Sequence, residues 1–509
     1  MTDRVFVTTP IYYVNGAPHI GHAYTTIAAD VYARWKRLDG ADVLFLTGTD
    51  EHGQKVEKAA RDAGVAPQAF VDRMSAGFQT LERELNLTND DFIRTTEERH
   101  RRACTALWRC LRESGDIYLG HYEGWYAVRD EDFYDESVLT TGPDGTRLAP
   151  TGAPVEWVRE PNYLFRLSKW QERLLAFYEE NPDFIGPASR RNEVLSFVRG
   201  GLNDLSVSRT SFTWGIPVPD DPGHVMYVWL DALTNYLTAA GYPDNLDERD
   251  FWPPTLQIVG KDILRFHAVY WPAFLMAAGL PVPRRVFAHG WWTAEGAKIS
   301  KSVGNVIDPR ELIARFGLDP VRFYLLREVP FGNDGDFSER ALINRFNVEL
   351  ANDLGNLAQR TLPMIARNAG GALPAPGIRT AEDEVLLAEA GVLPAAVRDA
   401  VDRQAFHEAL EATWRVIRSA NGYIAHQAPW TLRKTDTGRM ETVLRVVTDV
   451  LRVVATVLQP FMPDSMSRML DQLGVPGDAR SLASLALPLA TGTMLPPPEG
   501  IFPRYVAPV

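Results

Sequence analysis

The chain has 509 residues, which predicts about three domains at roughly 100–200 residues each. Hydrophobic residues make up 45% and charged residues 23%, the balance of a folded globular protein, which excludes a largely disordered chain. The 53 Lys and Arg against 65 Asp and Glu give a net charge of −12. This charge excludes nucleic-acid binding through an overall basic surface, but it is compatible with a local basic groove.

The two cysteines, Cys104 and Cys110, are too few for a disulfide framework or for a four-cysteine zinc site. We expect them to be reduced, to lie in a helix, and to indicate a cytoplasmic protein. The N-terminal residues show no signal peptide. The most membrane-like stretch, 263–283, carries Arg265 and His267, so we expect no membrane span.

The first part of the chain alternates strands and helices. Apolar, β-rich segments at 4–9 and 42–47 are each followed by a helical pattern, at 20–38 and 53–64. This order predicts a parallel sheet with right-handed crossovers.

Aromatic-rich and turn-rich stretches at 118–213 interrupt the alternation and predict hairpins with some helix. The alternation resumes with predicted strands at 225–230, 256–259 and 286–289 and a helix at 262–277. From residue 308 the periodicity is helical, with a break rich in glycine and proline at 370–377. The helices predicted there are 309–316, 321–327, 338–362, 381–400, 404–425, 440–458 and 463–473.

The first motif with chemical content is His19-Ile20-Gly21-His22, where the loop after the first strand becomes the first helix. Ligands bind parallel sheets at this end of the strands, and a helix start offers N–H groups to anions. Two imidazoles there can donate to phosphate oxygens, and Gly21 leaves room for a flat ring. Two histidines at this spacing are also common as surface or core residues, and a metal site would need further ligands.

The second motif is Lys298-Ile299-Ser300-Lys301-Ser302, which follows a predicted strand and a loop with a glycine. Two lysines on a loop can neutralise a triphosphate, and the two serine hydroxyls can add contacts. Taken alone, such a string is more often a solvated loop.

Together and in this order, the two motifs resemble those of class I aminoacyl-tRNA synthetases, with Ile299 at the Met position of KMSKS. Further strings from Phe6 to Trp430 are similar to the methionyl-tRNA synthetase family. They are TTPIYYVNGAPHIGHAYT, FLTGTDEHGQK, YVWLDALTNY, IVGKDILRFHAVYWPA, HGWWTAEGAKISKS, NLAQR and HQAPW. The closing IFPRY is similar as well.

The resemblance implies a fold and its division into domains. We expect a Rossmann-like parallel α/β sheet with an inserted connective domain, followed by an all-α helical bundle that binds the anticodon. The expected segments are 1–117 and 214–307 for the two halves of the sheet domain, 118–213 for the insertion, 308–370 for a helical junction and 371–509 for the bundle and tail.

The resemblance also implies an activity. ATP and methionine would form methionyl-adenylate, and the methionyl group would pass to tRNA(Met), with Mg²⁺ accompanying ATP. The implied catalytic residues are His19, His22, Lys298 and Lys301, and these four would contact ATP together with Gly21, Asp262, Ser300 and Ser302. Asp262 precedes a helical run, so a role as an N-cap is the alternative.

The methionine site implied by the resemblance combines a charged and an apolar part. Asp50 would bind the α-ammonium group with support from Arg209, and aromatic faces would hold the soft thioether. Trp229 and Tyr236, seven residues apart, would line one helix face. Without the resemblance, such an aromatic cluster is more often core. The implied set is Ile11, Tyr13, Asp50, Arg209, Trp229, Ala232, Tyr236, Ile263 and His267.

For tRNA, the resemblance implies that Asn356, Arg360 and Trp430 read the anticodon, by stacking and by hydrogen bonds to base edges. A buried Trp430, or an Asn356 bonded within its own helix, is the alternative.

The sequence departs from many family members at the insertion, because 118–213 contains no cysteine to hold zinc. We therefore expect no structural zinc. The sequence also shows no added C-terminal domain of the type that makes some relatives dimeric, so we expect a monomer. The insertion would be stabilised by an aromatic core of Trp125, Tyr126, Phe133, Tyr134, Trp157, Tyr163 and Phe165.

Other classes of protein share part of this pattern. The isoleucyl, valyl and leucyl enzymes share both motifs but are longer, and the cysteinyl enzyme needs a cysteine-bound zinc. A small nucleotidyltransferase would lack the helical tail. A non-catalytic nucleotide- or tRNA-binding relative would show no ATP–pyrophosphate exchange.

Overall fold

A computed structural model describes residues 3–14, 16–130, 132–246, 250–294, 297–298 and 306–506, with the backbone alone at a few of them. Within this part the chain forms two compact units. One, the sheet unit, comprises Arg4–Pro18 and Leu44–Ala288. The other, the helical unit, includes His19–Val43 and the chain from His289 onward.

The sheet unit is built on a seven-stranded sheet. The strand Asp42–Asp50 is buried along all but its first residue, as expected for a strand covered on both faces of a parallel sheet. Parallel pairing places Val7 beside Leu256 and Tyr13 beside Asp50. The strand order is Ile185–Gly186, Val286–His289, Leu256–Gly260, Arg4–Thr8, Asp42–Asp50 and Tyr12–Tyr13, with Asp91–Arg94 also paired to Asp42–Asp50.

Helices cover this sheet and share one apolar core, to which Trp108, Phe165, Trp271 and Phe274 contribute. The α-helices of the sheet unit are Gln54–Asp62, Pro67–Glu84, Glu98–Glu113, Gln171–Glu180, Ala188–Arg199, Val228–Leu233, Asn235–Ala240 and Trp271–Ala277. Shorter helical segments are the 3-10 turns Glu136–Val138, Leu167–Trp170 and Lys261–Ile263 and the π-helical Phe266–Tyr270.

One predicted strand of this unit is partly wrong. The segment 225–230 was expected to be extended throughout, but the strand Asp221–Met226 ends at Met226 and a helix begins at Val228. A short apolar run is buried equally well as a strand or as a helix, so periodicity cannot place the change.

The insertion is dominated by one long antiparallel pair of strands. Ile117–Ala127 pairs with Glu156–Phe165, from Ile117 opposite Phe165 to Tyr126 opposite Glu156. The short strands around it are Asp132–Tyr134, Thr140–Thr141, Arg147–Leu148, Leu205–Ser206, Ser208–Arg209 and Pro217–Val218.

The aromatic core predicted for the insertion is correct in part. Tyr126, Tyr163 and Phe165 are buried, whereas Trp157 is 53% exposed and makes an edge contact with Trp125, with ring centroids 5.4 Å apart. The side chain of Phe133 lies outside the described residues. Trp125 and Tyr134 pack instead on a small core formed by Ala127, Ala149, Ala153 and Val155.

In the helical unit the predicted helices 20–38 and 309–316 are confirmed at both ends. The predicted helix 338–362 contains a π-helical segment, Phe346–Gly355. The α-helices here are Ile20–Leu38, Pro309–Phe316, Leu318–Arg327, Glu339–Arg345, Asn356–Asn368, Ala381–Asp402, Phe406–Gln427, Pro429–Leu432, Thr437–Leu458 and Pro463–Gln472. Three short strands, Trp292–Ala294, Ala297–Lys298 and Gly335–Phe337, form a small sheet.

A buried ion pair joins the first helix to the C-terminal helices. The guanidinium of Arg322 donates to the carboxylate of Asp30 at 2.6 Å, and both side chains are fully buried. Arg322 also donates to the carbonyl oxygens of Pro460 and Phe461. Asp30 accepts a second contact from Arg34 at 2.7 Å. The helix that begins at the two histidines is thus fixed at its centre.

Candidate active site

The start of the helix Ile20–Leu38 is built from its own two histidines. His19 has an extended backbone, with φ −139° and ψ 176°, and is the N-cap residue. Its Nδ1 accepts a hydrogen bond from the Gly21 N–H at 3.1 Å, and Nδ1 of His22 accepts from the His19 N–H at 3.0 Å. These two contacts satisfy N–H groups that a helix start leaves without helical partners.

These contacts determine the proton positions on both rings. Nδ1 of His19 and Nδ1 of His22 are acceptors, so the proton of each neutral ring is on Nε2. The two rings lie side by side, with centroids 3.9 Å apart. The helix start therefore carries two imidazole donors at its positive dipole end, an arrangement suited to phosphate oxygens.

Gly21 leaves room for the His19 ring in this turn. A Cβ at Gly21 would lie 2.9 Å from Cε1 of His19, closer than such contacts normally come. The flat ring that approaches the backbone here is the imidazole of His19. The turn is also fixed from outside, because the Ile20 N–H donates to the Ile307 carbonyl at 3.1 Å.

A third histidine, which the sequence did not single out, supports the same helix. Nδ1 of His289 donates to the Gly290 carbonyl at 2.7 Å, so in the neutral ring Nε2 accepts from the Thr25 hydroxyl at 2.7 Å. The His289 ring also packs against Tyr24 and Phe331. The histidine follows a strand directly, and only the fold brings it to Thr25.

Lys298 lies in the strand Ala297–Lys298, where its backbone pairs with Thr293. The side chain of Lys298 and the residues Ser300, Lys301 and Ser302 lie outside the described residues. Their roles toward ATP remain predictions.

In the sheet unit, three of the residues predicted for the apolar part of the methionine site contact one another. The Tyr236 hydroxyl donates to Nε2 of His267 at 2.7 Å, and Nδ1 of His267 donates to the Ile263 carbonyl at 3.0 Å. Ile11, Trp229 and Ile263 are partly buried against the same core, while Ala232 is buried.

Trp229 and Tyr236 do not share one continuous helix. The helix Val228–Leu233 ends before Thr234, and a second helix, Asn235–Ala240, carries Tyr236. The Trp229 ring stacks on Phe266, with centroids 3.5 Å apart and planes 9° from parallel. Phe266 is a neighbour of the predicted site that the sequence did not indicate.

The polar residues of the predicted site are only partly assembled. Asp50 is buried at the end of its strand, beside Tyr13, whose hydroxyl donates to the His52 carbonyl at 3.2 Å. Arg209 is buried, donates to the Ser206 hydroxyl at 2.7 Å, and lies over the Tyr227 ring. The predicted role of Arg209 in supporting Asp50 stays a prediction.

Asp262 is exposed in the 3-10 turn Lys261–Ile263, and the N-cap of that turn is Gly260. Asp262 therefore does not act as the N-cap of this turn.

The residues predicted to read the anticodon lie in the helical unit. Asn356 is exposed at the start of the helix Asn356–Asn368, and Arg360 follows one turn later. The Arg360 guanidinium lies 4.9 Å from the centre of the Trp430 ring, which is 39% exposed. Trp430 is therefore available at the surface, with one ring face covered by a cation.

Burial of His267 has a consequence in acid. Burial lowers the pKa of His267 from 6.5 to about 4, against smaller upward effects of the Ile263 carbonyl and Asp262. The unfolded chain binds this proton more tightly than the folded chain. The free energy of unfolding should therefore fall as the pH drops from about 6.5 to about 4, by roughly 3 kcal/mol in total. Above about pH 6.5 this group should not affect stability. Urea unfolding of the parent and of His267→Gln at pH 7 and pH 4.5 measures this, and equal losses of stability in both proteins would contradict it.

Comparison with protein families identifies the class. Residues 5–362 match the family model for class I tRNA synthetases (M), and residues 373–506 match the anticodon binding domain of methionyl tRNA ligase. The chain therefore belongs to the class I tRNA synthetases, in their methionyl family. The resemblance inferred from the motifs is confirmed, and so is the fold class of a parallel α/β domain followed by a helical anticodon-binding domain.

Individual relatives match over the whole chain. A methionine–tRNA ligase of Brucella suis biovar 1 (strain 1330) is 56% identical over 99% of this chain and 98% of its own length. A methionine–tRNA ligase of Mycobacterium bovis is 55% identical over the same shares. The Mycobacterium tuberculosis methionyl-tRNA synthetase in complex with methionyl-adenylate is 54% identical, with a TM-score of 0.97 over 99% of this chain and 100% of that chain.

Proposed function

We propose that this chain is a methionine–tRNA ligase that forms methionyl-adenylate from L-methionine and ATP and transfers the methionyl group to tRNA(Met), for initiation and elongation. The observation that carries the proposal is the pair of Nε2–H donors on His19 and His22 at a helix start, in a chain of the methionyl family. The adenylate bound to the M. tuberculosis relative supports the intermediate.

The chemistry is an in-line displacement. The methionine carboxylate attacks the α-phosphorus of ATP, and pyrophosphate leaves. The protein forms no covalent bond, so catalysis consists of positioning and charge stabilisation. His19 and His22 donate to the oxygens of the pentavalent phosphorus, Lys298 and Lys301 hold the β- and γ-phosphates, and Gly21, Asp262, Ser300 and Ser302 complete the ATP site.

Methionine binds through two groups of residues. Asp50, supported by Arg209, holds the α-ammonium group, while Tyr13, Ile11, Trp229, Ala232 and Ile263 surround the side chain. Tyr236 and His267 lie at the sulfur end. The Tyr236 hydroxyl donates to His267, and this bond fixes the orientation of both side chains. The two rings then offer a polarizable aromatic surface to the thioether.

Magnesium enters as part of the substrate, MgATP. The two histidines at the helix start have their acceptor nitrogens turned to the backbone and offer N–H donors, which do not bind a cation. We propose that the chain needs no structural zinc.

We assign activation to segments 1–117 and 214–307, with the connective insertion 118–213, and anticodon reading to 371–509 after the junction 308–370. Among the residues that the structure describes, no helix combines the length and apolar character needed to cross a membrane. We propose a monomer that acts in the cytoplasm.

ATP–pyrophosphate exchange with each of the twenty amino acids, without tRNA, tests this function. Exchange that depends on methionine alone supports both the chemistry and the pocket. Exchange with another amino acid would overturn the pocket but not the ATP site, and no exchange with any would overturn the activity.

The anticodon assignment predicts a selective defect. Trp430→Ala should lower kcat/KM for tRNA charging about tenfold or more, because a stacked base contributes about 1–3 kcal/mol, while methionine activation is unchanged. Both rates are measured on the same preparation, with Val385→Ala, another exposed apolar residue of the helical unit, as the control. A parallel loss of both activities would contradict the assignment.

A further inference from the structure

Asp231 is a fully buried carboxylate that binds two histidines. Its Oδ2 accepts from Nδ1 of His52 at 2.7 Å, and its Oδ1 accepts from Nε2 of His100 at 2.8 Å. Asp231 and His100 have no exposed side-chain surface, and His52 is nearly as buried. His52 and Asp231 lie within two of the strings quoted for the family resemblance, but no role was inferred from the sequence for either of them or for His100.

The three residues come from three elements. His52 lies two residues after Asp50, just beyond the strand Asp42–Asp50, and His100 lies in the helix Glu98–Glu113. Asp231 lies in the helix Val228–Leu233, between Trp229 and Ala232. One carboxylate therefore ties the strand end that carries the proposed ammonium ligand to the helix that carries proposed side-chain contacts.

The charge state of Asp231 follows from these contacts. Burial acts to raise its pKa, but His52 and His100 outweigh burial and lower the pKa to about 2. A carboxylate only accepts, so His52 Nδ1–H and His100 Nε2–H are both donors. Nδ1 of His100 lies 3.1 Å from the Thr238 hydroxyl oxygen.

The chain segment after Asp50 is held at its other residues too. Glu51 is buried and receives two bonds from the Arg94 guanidinium, at 2.7 and 3.0 Å. The Glu51 carbonyl accepts from the indole N–H of Trp214 at 2.6 Å, and the His52 ring meets the Trp214 ring edge to face. These buried hydrogen bonds and ring contacts hold the segment in a single conformation.

We propose that Asp231 is a positioning residue for methionine activation: by binding His52 and His100, it fixes the distance between the ammonium site at Asp50 and the side-chain site at Trp229 and Ala232. This inference rests on the proposed function. Methionine must satisfy both sites at once, whereas ATP contacts neither, so the effect falls on the amino acid substrate.

A metal ion is the competing use of the same cluster. His100, Cys104 and Asp231 have donor atoms close together, with Sγ of Cys104 3.3 Å from Nε2 of His100. A metal would require Nε2 without its proton and Cys104 as a thiolate. Nε2 already donates to the carboxylate, and burial, with the Asp231 charge, holds the thiol pKa well above its usual value. The hydrogen-bonded arrangement is therefore favoured.

The test compares Asp231→Asn with the parent in ATP–pyrophosphate exchange. Asparagine keeps the size but turns an N–H group toward one histidine donor, which leaves a buried clash of donors. We expect KM for methionine to rise about tenfold or more, with KM for ATP and kcat changed less than about threefold. Cys104→Ala, which removes the thiol and leaves the bonds of Asp231 to His52 and His100, is the matched control and should behave as the parent.

A second pair of variants covers the case in which Asp231→Asn does not fold. His52→Asn places an amide N–H near the position of Nδ1, whereas His52→Gln places it near Nε2. We expect KM for methionine to rise in the glutamine variant and to stay at the parental value in the asparagine variant.

The possible outcomes separate the two hypotheses. If the parent is active and KM for methionine is unchanged in Asp231→Asn and His52→Gln, the role proposed for Asp231 is overturned. The proposed function of the chain is then unaffected. The role of Asp231 would also be overturned if the variants lowered kcat, raised the KM values for methionine and ATP to the same extent, and lowered the Tm. One zinc per chain that is lost in Cys104→Ala would assign the cluster to a metal. A parent without methionine-dependent exchange would overturn the proposed function.

Discussion

Replacing His22 with alanine is expected to lower the rate of methionyl-adenylate formation by more than about tenfold, and by as much as a hundredfold if its Nε2–H acts as a full transition-state donor. The proton is on Nε2 because Nδ1 accepts the His19 N–H. The loss should fall on kcat and kcat/KM together, since the negative charge that the ring stabilises develops during the displacement. Exchange kinetics at saturating methionine and ATP measure it.

The two amide variants of His22 separate catalysis from helix capping. His22→Asn offers an oxygen close to the position of Nδ1, so it keeps the bond from His19 N–H and should be as inactive as alanine. His22→Gln offers an N–H group close to Nε2, so it should retain part of the rate, although it loses the cap contact of about 1 kcal/mol. The reverse order of activities would remove His22 from the chemistry.

Replacing Arg322 with methionine is expected to lower the free energy of unfolding of the helical unit by about 3–5 kcal/mol. The change leaves the buried Asp30 carboxylate without the Arg322 guanidinium, and it removes the donor from the carbonyls of Pro460 and Phe461. Urea unfolding followed by circular dichroism at pH 7 gives the midpoint shift.

Two further variants test the origin of this loss. Arg398→Met breaks the Arg398–Asp39 pair, which is partly exposed, and should change stability by no more than about 1 kcal/mol. Asp30→Leu combined with Arg322→Met removes both buried charges and should recover part of the loss. If Arg322→Met were no worse than Arg398→Met, the buried pair would not be what fixes the first helix.

The sequence predicts the local features of this protein well. The helix 20–38 has its observed ends, because its cap at His19 and its stop at Gly40, with φ of +94°, are encoded by adjacent residues. The strand 286–289 and the helix 309–316 are predicted with equal accuracy. The two motifs indicated the class, and the further strings indicated the family, because each lies in a short, contiguous stretch.

Features that depend on distant residues could not be predicted in this way. Arg322 and Asp30 are 292 positions apart, and Asp231 meets His52 across 179 positions. No periodicity connects such residues, since their contact depends on how whole elements pack. The exposure of Trp157 and the change from strand to helix at Val228 have the same origin.

The sequence by itself determined the family, the order of the elements and the residues expected at the ATP and methionine sites. The tertiary structure decided which nitrogen of each histidine carries the proton, that Tyr236 and His267 form one pair, and that Asp231 binds two histidines. The physical reason is that residue type fixes which chemistry is possible, whereas protonation and hydrogen-bond direction depend on partners that only folding brings within about 3 Å.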